Sequence, residues 1–126
     1  MMKITTFNDY QKEAVSMRVS LNEFQKKFPN TDYFILEIMA LAYDGLGMGE
    51  AGEVQGKIKK IIRDNGGIIT DEARKEIIFE MGDTLWYLAS MSQTLGVTLE
   101  DVANYNIQKL KSRYNRGTVN GSGDNR

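Results

Sequence analysis

Residues 71–96 read DEARKEIIFEMGDTLWYLASMSQTLG, and this stretch decides the fold. Its apolar residues Ile77, Ile78, Met81, Leu85 and Leu88 recur at helical spacing, and Glu76, Glu80, Asp83 and Tyr87 make a polar stripe at intervals of three and four. Thr70 stands in front as an N-cap and Gly96 behind as a stop, so the spacing predicts one long helix. Working outward, Thr98 followed by Asp101 predicts a capped helix through LEDVANYNIQKLKSRY. Upstream, EVQGKIKKIIRD is helical until Asn65-Gly66-Gly67 stops it. The segment DGLGMGEAGE before it, with Gly45, Gly47, Gly49 and Gly52, reads as a kink or short break. An earlier helix through YFILEIMALAY is capped by Thr31 or Asp32. The first, capped by Thr5 or Thr6, carries Phe7, Tyr10, Ala14 and Met17 on one stripe. A connector around Pro29 separates these two. No strand pattern competes, so the expectation is an all-α bundle of four or five helices. The helical domain is expected over 1–117, with a polar, glycine-rich tail over 118–126.

Composition narrows the chemistry. The chain has 126 residues, 16 Lys plus Arg against 17 Asp plus Glu, and neither histidine nor cysteine. Thiolate catalysis, disulfides, zinc–sulfur sites and imidazole bases are therefore absent, and acid–base or metal chemistry falls to carboxylates. A net charge of −1 disfavours a nucleic-acid binder. The start MMKITTFNDY lacks a signal-peptide core, and FILEIMALAY is too short to span a bilayer, so a cytoplasmic protein without membrane attachment is expected.

Two acid pairs stand out. Glu50-Ala51-Gly52-Glu53 and Glu80-Met81-Gly82-Asp83 each place acids three apart, with glycine just before the second. Glycine inside a helix is worse than alanine by about 1 kcal/mol. An isolated ExxE is more often solvated surface than site. The doubled glycine points instead to something close to the backbone: a metal, a phosphate chain or a neighbouring helix.

If two antiparallel helices face each other, Glu50, Glu53, Glu80 and Asp83 lie between them. Two bare carboxylates 4 Å apart repel by roughly 4 kcal/mol at an effective dielectric near 20. Four stay ionised together only around a cation. An all-oxygen ligand set suits Mg²⁺, with Mn²⁺ as the alternative, and a di-iron bundle would add histidines that this chain lacks. Mg²⁺ shares its coordination with substrate phosphates, so a phosphoanhydride is the natural substrate class. Lys57 and Lys60 follow Glu53 by one and two turns, and Asn106, Lys109 and Arg113 form a stripe on the last helix. Each alone reads as an ordinary solvated face; as a set beside a metal site they become candidate phosphate contacts.

GEAGEV (49–54), EMGDTLWYL (80–88) and TLGVTLEDVANYNIQKLKSRY (94–114) together resemble the MazG-like all-α nucleoside triphosphate pyrophosphohydrolases. The similarity runs from about Tyr10 to Gly117, and the 26 residues between Glu53 and Glu80 make a long spacer for the ExxE…ExxD pattern. The resemblance implies hydrolysis of a nucleoside triphosphate to the monophosphate and pyrophosphate. Glu50, Glu53, Glu80 and Asp83 would bind Mg²⁺, with Glu50 or Glu53 activating water. Lys57, Asn106, Lys109 and Arg113 would hold the phosphates, and Lys60 is the further candidate by position. It also implies a homodimer or homotetramer. Trp86, Tyr87 and Tyr10 are candidates for stacking on the base, against plain core packing, which Trp86 favours. The tail is either a phosphate lid using Arg116 or a frayed end. Alternative readings are a dUTP/dCTP-type or phosphoribosyl-ATP pyrophosphohydrolase, or a non-catalytic helical interaction module.

Overall fold

Thr6 opens the first helix, α1 (Phe7–Ser16), with a reciprocal cap. Its hydroxyl accepts from the Asp9 amide at 3.0 Å, and the Asp9 carboxylate accepts from the Thr6 amide at 3.1 Å. Two amides that a helix start leaves without partners are satisfied in this way. Thr98 and Asp101 repeat the device at the start of the last helix, α4 (Leu99–Asn115), as their spacing predicts. Between them lie α2 (Glu50–Asn65) and α3 (Asp71–Thr94). The computed structural model describes residues 4–17, 37–38, 40–47 and 49–118, apart from the side chain of Tyr43. The connector around Pro29, the caps expected at Thr31 or Asp32 and the tail beyond residue 118 lie outside these. Among the described residues there is no strand, and the all-α expectation holds.

The turn chemistry follows the sequence. Gly66 and Gly67 take left-handed backbone with φ of 58° and 81°, and the Gly67 amide donates to the Ile61 carbonyl at 3.1 Å, ending α2. Thr70 then caps α3 by accepting from the Ala73 amide at 3.2 Å, and Gly96 at φ 72° turns the chain into α4. Glu37, Ile38, Ala40 and Leu41 are helical, and the break expected in DGLGMGEAGE is a π-helical turn, Ala42–Gly47, followed by Gly49 as the N-cap of α2.

α3 packs against all the other described elements. Its C-terminal half meets α1 and α4 in a small core of Ala14, Ala89 and Leu99, flanked by Tyr10, Leu85, Trp86 and Leu88. Alanines at the contact bring the α1 and α3 backbones close, and the Trp86 indole N–H donates to the Ala14 carbonyl at 3.2 Å. Gln11, only 5% exposed, clasps the α3–α4 turn from α1. Its amide nitrogen donates to the Val97 carbonyl at 3.0 Å, and its amide oxygen accepts from the Leu99 N–H at 2.6 Å. This satisfies two backbone groups that would otherwise be left without partners.

The other end is thinly covered. No residue of α2 is buried, and Ile62, Ile78, Phe79 and Met81 are each more than half exposed.

Candidate active site

The π-turn delivers the chain to α2. A Cβ on Gly45 would overlap Cβ and Cγ of Tyr87, and one on Gly49 would run into the Asp44 carbonyl. Glycine is thus required at Gly45 because the turn lies directly on the Tyr87 ring, and at Gly49 because α2 starts against the backbone of the turn. Gly52 and Gly82 differ: no described residue lies within 4 Å of where their Cβ atoms would be. The close approach of a neighbouring helix expected at these two is not found among the described residues. Gly52 opens onto a groove of about 500 Å³ along α2, and Gly82 onto an apolar one of about 570 Å³ between α2 and α3.

Across the α2–α3 contact, Glu50, Glu80 and Asp83 can each place a carboxylate oxygen within 4.8 Å of the other two. Glu50 is the first residue of α2, while Glu80 and Asp83 are neighbours on one face of α3. Burial, then Asp83, Glu53 and Glu80, push the Glu50 carboxyl above the ordinary range, as expected where negative charge is crowded. Glu53 is not one of the three. It is exposed and lines the groove along α2 with Gly49, Gly52, Gly56, Lys57 and Lys60, yet it is near enough to act on Glu50.

Lys57 reaches across from α2 to α3. Its Nζ lies 3.3 Å from Glu80 Oε1 and 3.4 Å from Glu76 Oε2, and these two bonds raise its pKa, the Glu80 one most. Lys60 is exposed on the outer side of the same groove.

Two tyrosines flank the acids. Tyr87, one turn beyond Asp83, is pushed up first by burial and then by Glu50, Asp44 and Asp83; Tyr10 on α1 is pushed up by burial and then by Asp83. Trp86 stands edge-on to Tyr87, with ring centres 5.0 Å apart and planes at 81°, and its own ring packs against the core. On α4, Asn106 and Lys109 are exposed, whereas Arg113 is buried at 8% exposure rather than lying on a solvated face. α4 packs on α1 and α3. Asp44 and Glu76 join the charged surroundings without having been singled out from the sequence as site residues. The signal for Asp44 is its place in the glycine-rich break, and for Glu76 its place one turn before Glu80.

An acid trio contributed by two helices, a lysine laid across them and flanking tyrosines define an all-α carboxylate site. A model of the MazG nucleotide pyrophosphohydrolase domain matches residues 45–118, more than half of the chain, and the chain belongs to that family. The gene 37 protein of Mycobacterium phage L5 is 48% identical to it over 90 residues, covering 71% of this chain and 79% of that protein. No solved structure matches the chain. Among the described residues, no helix is long and apolar enough to cross a membrane.

Proposed function

We propose that the protein hydrolyses nucleoside triphosphates, ribo or deoxy, to the monophosphate and pyrophosphate in a Mg²⁺-dependent reaction. The observation that carries this reading is the convergence of Glu50, Glu80 and Asp83, within the matched family domain, to oxygen separations of 4.8 Å or less. The donor set fits a hard divalent cation: three carboxylates, a Glu50 carboxyl destabilised as an anion by burial and then by its neighbours, and no histidine or cysteine in the chain. Glu50, Glu80 and Asp83 would hold the ion, with Glu53 completing the quartet or standing beside it. Mg²⁺ so held supplies positive charge against the phosphate oxygens.

The remaining work belongs to the chain's own residues. Glu53, exposed beside the trio, would take the proton from the attacking water, and Glu50 is the other candidate for that role. Lys57 and Lys60 line the groove next to Glu53 and would offer their ammonium groups to the phosphates; Asn106 and Lys109, exposed on α4, and Arg113, buried on it, are the further candidates that the family resemblance suggests. Tyr87 and Tyr10 border the acids and would offer ring surface to the base, with Trp86, edge-on to Tyr87 and packed against the core, the third candidate. A homodimer or homotetramer fits the apolar groove between α2 and α3, lined by Val54, Ile78, Met81, Leu85 and Leu88 and left open to solvent.

The test is pyrophosphate release from a panel of NTPs and dNTPs with Mg²⁺ or with EDTA, comparing the wild type with Glu80→Gln and Glu53→Gln. Metal-dependent release lost in both variants supports the reading, and the ranking within the panel identifies the base and sugar. Release that survives Glu80→Gln removes the acid trio from the reaction, and no release from any nucleotide overturns the reading and favours the helical interaction module.

A further inference from the structure

Glu76 and Glu80 sit four apart on α3, where two like charges repel unless something bridges them. The bridge comes from another helix. Lys57 Nζ lies almost equally far from both, at 3.4 Å from Glu76 Oε2 and 3.3 Å from Glu80 Oε1. The two acids are not alike: the Glu80 side chain is 13% exposed and belongs to the acid trio, whereas that of Glu76 is 59% exposed and lies outside it. The ammonium therefore occupies the boundary between the cluster and solvent, with one bond to each side.

We propose that Lys57 is the resident counter-ion of the acid cluster and that Glu76 is its second seat, onto which the ammonium withdraws when a divalent cation takes Glu80. This rests on the reading of the trio as a cation site. An ammonium bonded to Glu80 and a divalent ion drawn to the same carboxylate repel each other, so the two compete. The lysine stem rotates freely, and because Nζ already touches Glu76, giving up Glu80 needs only a shift of its outer torsions. Held on Glu76, the ammonium stays at the rim of the cluster, next to the groove that Lys57 and Lys60 share. Glu76 is thus a positioning residue that acts through Lys57.

The arrangement makes a prediction that charge alone does not. Removing Glu76 deprives the ammonium of its alternative and leaves it on Glu80, which weakens cation binding. Removing Lys57 removes the competitor, which strengthens it. Once Lys57 is gone, Glu76 has nothing to hold and its loss should hardly register. A Glu76 that merely added negative charge to the region would matter equally with or without Lys57.

The experiment is a double-mutant cycle on Mn²⁺ binding to the full nucleotide-free chain, read by electron paramagnetic resonance of free Mn²⁺. The chains are wild type, Glu76→Gln, Lys57→Met, the double variant and Glu80→Gln, and metal-free melting curves report folding separately. Glu76→Gln is expected to weaken Mn²⁺ binding about threefold and Lys57→Met to tighten it about threefold, the scale of partly exposed ion pairs. In the Lys57→Met background, the Glu76→Gln effect should shrink to less than about 1.5-fold. An undiminished Glu76 effect in that background, or weaker binding on Lys57→Met, overturns the second seat. Those failures leave the difference between wild type and Glu80→Gln intact. A wild type that binds Mn²⁺ no better than Glu80→Gln refutes the cation site itself, and the second seat with it.

Discussion

The glycines of the site region divide into two kinds, and alanine substitution should separate them by sign. At Gly45 an added Cβ overlaps the root of the Tyr87 side chain, Cβ and Cγ, rather than a movable tip. Relieving that overlap means lifting the π-turn off α3, and overpacking of this type costs about 1–3 kcal/mol. At Gly52 no described residue stands in the way, and Gly→Ala in a helix gains about 0.5–1 kcal/mol, with the lower figure apt for the first turn of α2. With an unfolding entropy of about 2.1 cal/mol/K per residue over 126 residues, 1 kcal/mol corresponds to about 4 °C in the melting midpoint. Gly45→Ala should therefore melt about 4–12 °C lower, and Gly52→Ala about 2 °C higher, in calorimetry of the metal-free chain. The same two variants are then assayed for nucleotide turnover. Gly52→Ala should lose activity while gaining stability, because its open side is the groove holding Glu53, Lys57 and Lys60. A Gly52→Ala chain that melts lower would mean a neighbour does press on that face. One that is more stable and fully active would refute the idea that the glycine keeps room for a ligand.

Two other perturbations test different parts of the molecule. Gln11→Leu fills the same space but strips the partners from the Leu99 N–H and the Val97 carbonyl, so stability should fall by about 2–4 kcal/mol, with faster hydrogen exchange at the Leu99 amide; an unchanged midpoint would show the clasp to be idle. Glu50, whose folded-state pKa is raised, binds its proton more readily in the folded than in the unfolded chain, so its contribution is present at low pH and is lost as pH rises through the folded value. Asp9 and Asp101, lowered mainly by bonds from Thr5 and Thr6 and from Thr98, act oppositely: their stability is present above the ordinary aspartate range and lost as pH falls through their folded values. As pH falls, the metal-free midpoint should rise while Glu50 takes up its proton in the folded chain ahead of the unfolded one, and drop once Asp9 and Asp101 are protonated, with the rise absent in Glu50→Gln. A wild-type midpoint that stays flat or falls as pH is lowered from neutral into the ordinary carboxylate range would contradict this.

Local chemistry was legible wherever its partners lie within one turn of chain. Thr6 with Asp9, Thr98 with Asp101, Thr70, and the Gly66-Gly67 stop are all written within a few residues, and each appears where its spacing places it. The acid pairs pointed to the α2–α3 contact, where three of the four acids converge, because helical periodicity fixes which side chains share a face. What periodicity does not fix is how one helix rolls against another. The 60° between Glu50 and Glu53 was small enough to suggest that both face α3, yet the packing turns Glu50 towards Glu80 and Asp83 and leaves Glu53 on the open groove. The same limit hid the pairing of Lys57 with Glu76 and Glu80, 19 residues and more away, and the Gln11 clasp, 86 and 88 residues away. The π-turn has no periodic signature of its own. Its glycines are visible in the sequence, but the need for Gly45 emerges only with Tyr87 beneath it.

α3 is clamped by α1 and α4 at one end, while α2 backs the rest of its length from one side. Ala89, Ser90 and Ser92 are enclosed in the clamp, while residues 74–76 and 78–79 stand largely in solvent. Glu80 and Asp83 project where the enclosed part gives way to the part that α2 backs, so any shift of α3 against α2 changes the spacing of the carboxylates across that contact. A ligand gripping Glu50 as well would add a tie between that part of α3 and the first turn of α2, beside the Lys57 bridge. Occupancy of the site and rigidity of that half of the molecule would then rise together, with the clamped half serving as the fixed reference.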